Sequence, residues 1–308
     1  MTWPGTGGGR GRPCARPSSS VAERGFSGKV YAGAESRGAT VGLRSWVPAE
    51  VDVTKPSAAR VYDAFLGGGH NFAADREFAR RAEEVLPGVT VSSRANRKFL
   101  RRVVTYAAQQ GIRQFLDIGS GIPTAGNVHE IALQISPESR TVYVDNEAVA
   151  VAHSELMLSD VPQARVIDAD LRSPGEVLSH PVVREMIDFD QPVLLLMLAV
   201  LHFVPEPADL TPLIDRYRAK LSPGSMLAIT HATGDHRPKE QEEGLVNLYS
   251  KSTNTAFNRS RAQITALFGD YELIEPGAVY VPEWRPDEGE AEDHPERFLF
   301  FGGVAVKP

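Results

Sequence analysis

The apolar positions of this chain follow two rhythms. After Thr54 and Pro56, residues Ala58, Val61, Tyr62 and Phe65 recur at the spacing of one helix face, and Gly67, Gly68 and Gly69 end the pattern. Two further helical patterns cover residues 74–86 and 92–110, with Gly88 and Gly111 as breaks. From there the rhythm changes to short apolar runs at 114–118, 141–144, 164–167, 193–198, 226–230, 271–274 and 298–304. The first five are separated by helix-length segments, the pattern of a parallel sheet wrapped by helices. The last two lie close together after a final helical stretch at 260–268, which predicts a mixed edge.

Composition narrows the class. At 42% hydrophobic and 23% charged over 308 residues, the chain can build a sizeable core. Its one cysteine, Cys14, excludes a disulfide scaffold and any cysteine-based zinc site. No histidine and carboxylate cluster has ligand spacing, so no metal is expected. The longest apolar run, residues 193–201, is nine residues, well short of the roughly 20 that cross a bilayer. A cytoplasmic protein without membrane contact is therefore expected. Residues 1–50 stand apart, with ten glycines, four prolines, six serines and a net charge of +4 against −10 for residues 51–308. They read as a disordered basic tail without the apolar centre of a signal peptide. It is a solvated appendage, the product of a translation start placed too far upstream, or an arm for an anionic partner. The acidic remainder argues against nucleic acid as a partner.

The candidate chemistry lies where apolar runs end. Asp117-Ile118-Gly119-Ser120-Gly121 leads a strand into a glycine turn, where the backbone bends tightly and a ligand can approach it. Ile122, Pro123 and Thr124 follow where a dinucleotide fingerprint needs its third glycine, which argues against a nicotinamide-dependent oxidoreductase. The next strand ends in Asp145 and Asn146, with Asp145 26 residues after Gly119. A carboxylate there can accept both hydroxyls of a ribose. The third strand ends in Asp168, Ala169, Asp170 and Leu171. Of the two acids, Asp170 is preferred for an adenine amino group. The fourth runs through Ala199 into a polar turn at His202.

Taken together, Asp117 to Gly121, Asp145, Asp170-Leu171 and Ala199 to Phe203 resemble the successive motifs of a class I S-adenosylmethionine-dependent methyltransferase. The flanks at 56–63, 66–72, 94–100 and 284–286 are similar to the bacterial S-adenosyl methyltransferase family formerly catalogued as a domain of unknown function. The resemblance covers about residues 55–306. It implies a Rossmann-like α/β fold with a seven-stranded, mostly parallel sheet and one antiparallel edge strand. It implies that Gly119, Ser120 and Gly121 pass under the methionine part of S-adenosylmethionine while Asp117 takes its ammonium. Asp145 with Asn146 would then hold the ribose, and Asp170 and Leu171 would bracket adenine beside Ala199. Residues 51–111 become an N-terminal helical lid over a cofactor-binding domain at 112–308.

On the acceptor side, Arg60, Tyr62, Asp63, His70 and Asn71 crowd around the glycine stop, and with Arg94 they are read as lid residues facing substrate. Insertions at 231–258, with Tyr249, and 276–296, with Trp284, are placed on the same face of the crevice. Five acids within residues 287–293 form a solvated loop or attract a cationic substrate. His202 is a general base or a core histidine. Asp117 can also cap a following helix. The expected activity is direct methyl displacement onto a small-molecule acceptor, and a non-catalytic sensor or scaffold that binds the cofactor is the alternative. No Asn-Pro-Pro-Tyr element for methylating nucleic-acid bases follows the fourth strand.

Overall fold

A computed structural model describes residues 48, 51–123, 126–205 and 210–308. The expectations for the tail at 1–50, Pro48 apart, and for Thr124 fall outside the described residues. Three helices come first: α1 (Ala58–Leu66), α2 (Ala73–Val85) and α3 (Val89–Gln109). Ser57 caps α1 by accepting the Arg60 N–H, and Gly67 ends it at φ 80°, a left-handed conformation that glycine adopts without strain. The Asp75 carboxylate accepts the Phe72 N–H at 2.8 Å and so starts α2.

The alternating part follows as β1 (Gln114–Ile118), α4 (Val128–Ile135), β2 (Arg140–Asp145), α5 (Ala148–Leu158) and β3 (Ala164–Asp168). It continues through α6 (Pro174–Ser179), α7 (Pro181–Met186), β4 (Val193–Leu198), α8 (Leu210–Arg218), β5 (Met226–Ala232), α9 (Lys239–Tyr249) and α10 (Arg261–Ala266). Three strands close it: β6 (Glu272–Leu273), β7 (Val279–Tyr280) and β8 (Phe300–Val306). The order across the sheet is β3-β2-β1-β4-β5-β8-β6, with β7 also on β8. Strands β1 to β5 are parallel and β8 runs antiparallel to its neighbours. The expected α/β sheet is thus present. It has eight strands because the segment after α10 meets β8 twice, with Pro276 and Gly277 between the two contacts. Proline has no N–H to give to a ladder, and Gly277 turns at φ 94°.

Leaving β1, the chain moves outward to β2 and β3 and then returns to β4 on the other side of β1. Connections diverge at that reversal, which opens a crevice at the carboxyl ends of β1 and β4. Successive side chains of a strand face opposite sides. Phe115, Tyr143, Leu194, Leu196 and Val304 pack with Val61, Phe99 and Val103 of the leading helices. Leu116, Val142, Leu195, Met197 and Leu227 pack on the other face with Val183, Ile214 and Tyr217. Two-sided burial explains why all six residues of β4 are apolar and buried.

Trp284 belongs to this core and not to a lid. It is fully buried, edge-on to Phe99 at 5.4 Å and to Tyr106 at 5.9 Å, on the outer flank of α3. Arg102 of α3 holds the loop there by donating to the Trp284 and Val281 carbonyls at 2.9 and 2.7 Å. The acidic stretch after it is drawn to the same helix, with Glu290 on Lys98 at 2.6 Å and Asp287 on Arg101. Among the described residues, no helix is long and apolar enough to cross a membrane.

The junction of β8 with β5 is the tightest test of this packing, since a Cβ on Gly302 would lie 1.9 Å from the Ile229 carbonyl oxygen. Gly302→Ala is expected to lower stability by about 3 kcal/mol in urea denaturation, because backbone cannot move aside as a side chain can. Gly69→Ala, with nothing within 4 Å of the added carbon, should stay within about 0.5 kcal/mol.

Candidate active site

A cavity of about 690 Å³ opens at the carboxyl ends of the central strands and is roofed by α1, α3 and α9. Its floor on one side is the glycine turn after β1. Gly119 has φ 72° and a Cβ there would lie 2.2 Å from the Val200 side chain, while Gly121 has φ 64°. Both positions therefore need glycine. The Gly121 N–H donates to Asp145 Oδ2 at 2.7 Å and the Glu147 N–H to Asp145 Oδ1 at 2.9 Å, which aims the carboxylate across the turn. Ser120 Oγ is buried without a hydrogen-bond partner among the described residues.

Asp117 lies beneath this turn, 5% exposed, and lines the cavity. Burial pushes its carboxyl up to about 7; the charge of Arg97 works against that and the charge of Asp145 adds to it. Burial likewise raises Asp145 to about 6, against the hydrogen bonds from the Glu147 and Gly121 N–H groups. Asp117 does not cap a helix, because α4 begins only at Val128 and Glu130 serves its first turn, accepting the Asn127 and Gly126 N–H groups. Asn146, Asp170 and Leu171 also line the cavity. Asp170 is held below the usual carboxylate range by its pairing with Arg172 at 2.5 Å. Asp168 is exposed and does not line the cavity, consistent with the preference for Asp170.

Beyond β4 the lining changes character. Ala199 has φ 53°, a strained value for a residue with a side chain, and is held there by an N–H bond to Thr230 Oγ1 at 2.9 Å. It leads into a 3-10 turn, Leu201–Phe203, that carries His202 to the cavity. His202 is 7% exposed and its Nδ1 has no hydrogen-bond partner among the described residues. Burial, with the neighbouring His231 and Arg259, holds its imidazole well below its ordinary value, so the ring is neutral. His231 is neutral too: burial lowers it to about 3. Its Nδ1 donates to the Ala232 carbonyl at 2.7 Å, which leaves Nε2 to accept from Arg259 at 2.9 Å. Arg259 also donates to the Leu201 and Val204 carbonyls at 3.3 and 3.4 Å, bracketing the turn that presents His202.

The leading helices contribute in part as expected. Tyr62 lines the cavity, with its hydroxyl donating to the Ser93 carbonyl at 3.1 Å and accepting from Asn96 at 3.0 Å. Tyr249 lines it from α9, between Phe78 and Phe203, and burial raises its hydroxyl. Four other expected lid residues do not line it. Asp63 is buried and accepts the His70 N–H at 2.9 Å and the Asn71 amide at 2.8 Å. These bonds shape the glycine turn, in which a Cβ on Gly68 would lie 1.9 Å from Asp63 Oδ1. His70 stacks on His153, and Arg94 is exposed, with its Nε on the Phe65 carbonyl at 3.3 Å. The 231–258 insertion lines the cavity through Leu245, Tyr249 and Asn254, whereas no residue of 276–296 reaches it, Trp284 included.

Sequence reading did not identify the network that ties the helical roof to the strand ends. Arg60 is buried and donates to Asp75 at 3.0 Å and to Glu147 at 2.7 Å. Glu147 also caps α5 by accepting the Ala150 N–H at 2.8 Å. An acid three residues before a helical N–H is the one local signal that could have singled it out. Among the described residues, no group of three or more histidine, cysteine or acidic side chains is arranged to hold a metal.

The S-adenosyl methyltransferase family model matches residues 44–308. A crystal structure of a "putative methyltransferase" from Thermobifida fusca YX is 39% identical, aligned over 86% of this chain and 99% of its own, with a TM-score of 0.79. A DUF574 family protein from Streptomyces avermitilis MA-4680 is 36% identical over 83% of this chain and 99% of its own, also with a TM-score of 0.79. No curated protein matches the chain at a significant level. With that match running from ahead of α1 through β8, the chain belongs to the S-adenosyl methyltransferase family and is an S-adenosylmethionine-dependent methyltransferase.

Proposed function

We propose that the enzyme methylates a small-molecule acceptor held between the sheet rim and α1, α3 and α9. One cavity carries this reading: at about 690 Å³ it is lined by acids and arginines toward β1 to β3 and the leading helices, and by uncharged side chains from β4 to β8. That volume lies within the roughly 300–1,000 Å³ of small-molecule sites. The net charge of −10 on residues 51–308 supports a small acceptor over a nucleic acid.

The residues present fit the methyl donor. S-adenosylmethionine supplies an activated methyl group on a sulfonium, and carries an ammonium and two ribose hydroxyls. Asp117, which accepts no hydrogen bond among the described residues and is forced up by burial, is suited to meet the ammonium. Ser120 Oγ, buried without a partner, is suited to the methionine polar groups. Asp145 uses one lone pair of each oxygen on backbone N–H groups and keeps another on each for a ribose hydroxyl. Asn146, Asp170, Leu171 and Ala199 then flank adenine. In a direct displacement the protein's part is to aim the acceptor along the sulfur–methyl axis and keep water out. The roof of α1, α3 and α9 serves both ends.

Two measurements test these roles. Calorimetric titration with S-adenosylhomocysteine should show Asp145→Ala binding at least about tenfold more weakly, since hydrogen bonds to a charged acceptor contribute roughly 1.5–3 kcal/mol each. An unchanged affinity would remove Asp145 from the site. The second concerns pH. Below about 7 the empty site holds Asp117 protonated, so binding a cation there must expel a proton. Affinity is therefore expected to fall as pH drops from 8 to 5.5, with proton release on binding near pH 6, and Asp117→Asn should flatten that dependence.

A further inference from the structure

Resting on the reading of a small-molecule methyltransferase, the distribution of charge in the cavity narrows the acceptor itself. The charged lining lies on the leading helices and along one side of the sheet, with Asp52 ahead of α1, Arg60 on α1, Arg97 on α3, Asp117 on β1, Asp145 and Glu147 at the end of β2, and Asp170 with Arg172 just past β3. From β4 across β5 to β8, every described lining residue is uncharged, including Leu198, Phe203, Ala232 and Phe300, and α9 adds Leu245 and Tyr249. An ammonium entering that half would lose its hydration with no carboxylate to meet it. A carboxylate or phosphate would find no arginine or lysine among the lining residues of β4, β5, α9 and β8, since the lining arginines, Arg60, Arg97 and Arg172, stand on α1, on α3 and past β3. Either would be left desolvated and unpaired, which is the most costly state for a charge.

Aromatic rings line the same half beside aliphatic side chains. Phe203 and Tyr249 have ring centroids 5.6 Å apart, and His202 and Phe300 are 6.1 Å apart. Flat rings stack on such surfaces with a gain beyond area alone. Polar groups interrupt the apolar wall at His202, Tyr249, Thr253, Asn254, Thr255 and Asn258, and of these neither His202 nor Tyr249 makes a side-chain hydrogen bond among the described residues. Unmet hydrogen-bonding groups in an apolar pocket select a ligand that supplies partners for them.

We infer that the acceptor is an uncharged, flat, mostly apolar molecule bearing a hydroxyl group, and that this oxygen is methylated while His202 receives its proton. In the step, an oxygen lone pair forms the new carbon–oxygen bond as the sulfur–methyl bond breaks, and that electron pair leaves on sulfur, neutralising the sulfonium. The hydroxyl proton passes to the neutral imidazole and then to solvent. Products are the methyl ether, S-adenosylhomocysteine and a proton. A weak base suffices, because a hydroxyl oxygen becomes strongly acidic as it acquires the methyl group. Arg259 and His231 act as positioning residues, since they hold the turn that carries His202 and keep its ring unprotonated.

The test uses the full chain loaded with S-adenosylhomocysteine and three probes that share one bicyclic ring: 2-naphthol, 2-naphthoic acid and 2-naphthylmethylamine. Calorimetry at pH 7.5 is expected to show the naphthol bound at least about tenfold more tightly than either charged analogue. With S-adenosylmethionine, mass spectrometry should detect the methyl naphthyl ether. His202→Gln should keep naphthol and S-adenosylhomocysteine affinities within about twofold and slow ether formation by about 100-fold or more. Equal or tighter binding of the acid or amine, or no binding of any probe by protein that binds S-adenosylhomocysteine, would overturn the inference and leave the methyltransferase reading standing. Naphthol binding without ether formation would overturn oxygen as the methyl acceptor. Failure to bind S-adenosylhomocysteine would instead sink the reading of the cofactor site, and this inference with it.

Discussion

Two carboxylates at the ends of adjacent buried strands, Asp117 buried and Asp145 half-buried, set the terms for the rest of this protein. Moving Asp117 from an ordinary 3.8 to about 7 corresponds to roughly 4 kcal/mol against its ionisation. The fold imposes that cost because β1 and β2 are packed on both faces, and among the described residues Asp117 accepts no hydrogen bond that would relieve it. In the proposed reading, a sulfonium donor with an ammonium group supplies the positive charge that relieves it, which would couple affinity to charge and not only to shape.

The walls around those acids are built to stay in place when charge moves. Arg60 meets Asp75 and Glu147, and Glu147 in turn donates its own N–H to Asp145, so the helical roof and the acid at the end of β2 share one hydrogen-bonded chain. Breaking a buried pair of this kind by removing one partner costs about 3–5 kcal/mol. On the opposite side, Arg259 grips two carbonyls of the His202 turn and the ring of His231. Asn254 accepts the Ala58 N–H at 3.0 Å, which ties the same post-α9 loop to the start of α1. Roof and rim are therefore cross-linked at both ends of the cavity, and the apolar half between them is left uncharged.

Much of the fold and the cofactor side of the site could be read along the chain. The strands at 114–118, 141–144, 164–167, 193–198 and 226–230 coincide with β1 to β5 to within two residues, because two-sided burial writes an unbroken apolar run into the sequence. Asp117, Asp145, Asp170 and the glycines at 119 and 121 stand out because a polar or flexible residue at the end of such a run has no packing reason to be there. The lid was harder. Asp63, His70, Asn71 and Trp284 have the chemistry of site residues, yet the first three shape a turn with their hydrogen bonds or ring contacts, and Trp284 fills the flank of α3.

Local patterning thus determined the sheet, its helices and the acids at the strand ends, since each depends on burial that repeats every two or 3.6 residues. Only the tertiary structure decided which side chains share the cavity. His231 and Arg259 meet across 28 positions, and Arg60 and Glu147 across 87. Leu245 of α9 and Phe300 of β8 reach the same wall as Leu198 of β4. No periodicity carries such pairings, because they are set by how helices cross a twisted sheet and not by the residues adjacent in the chain.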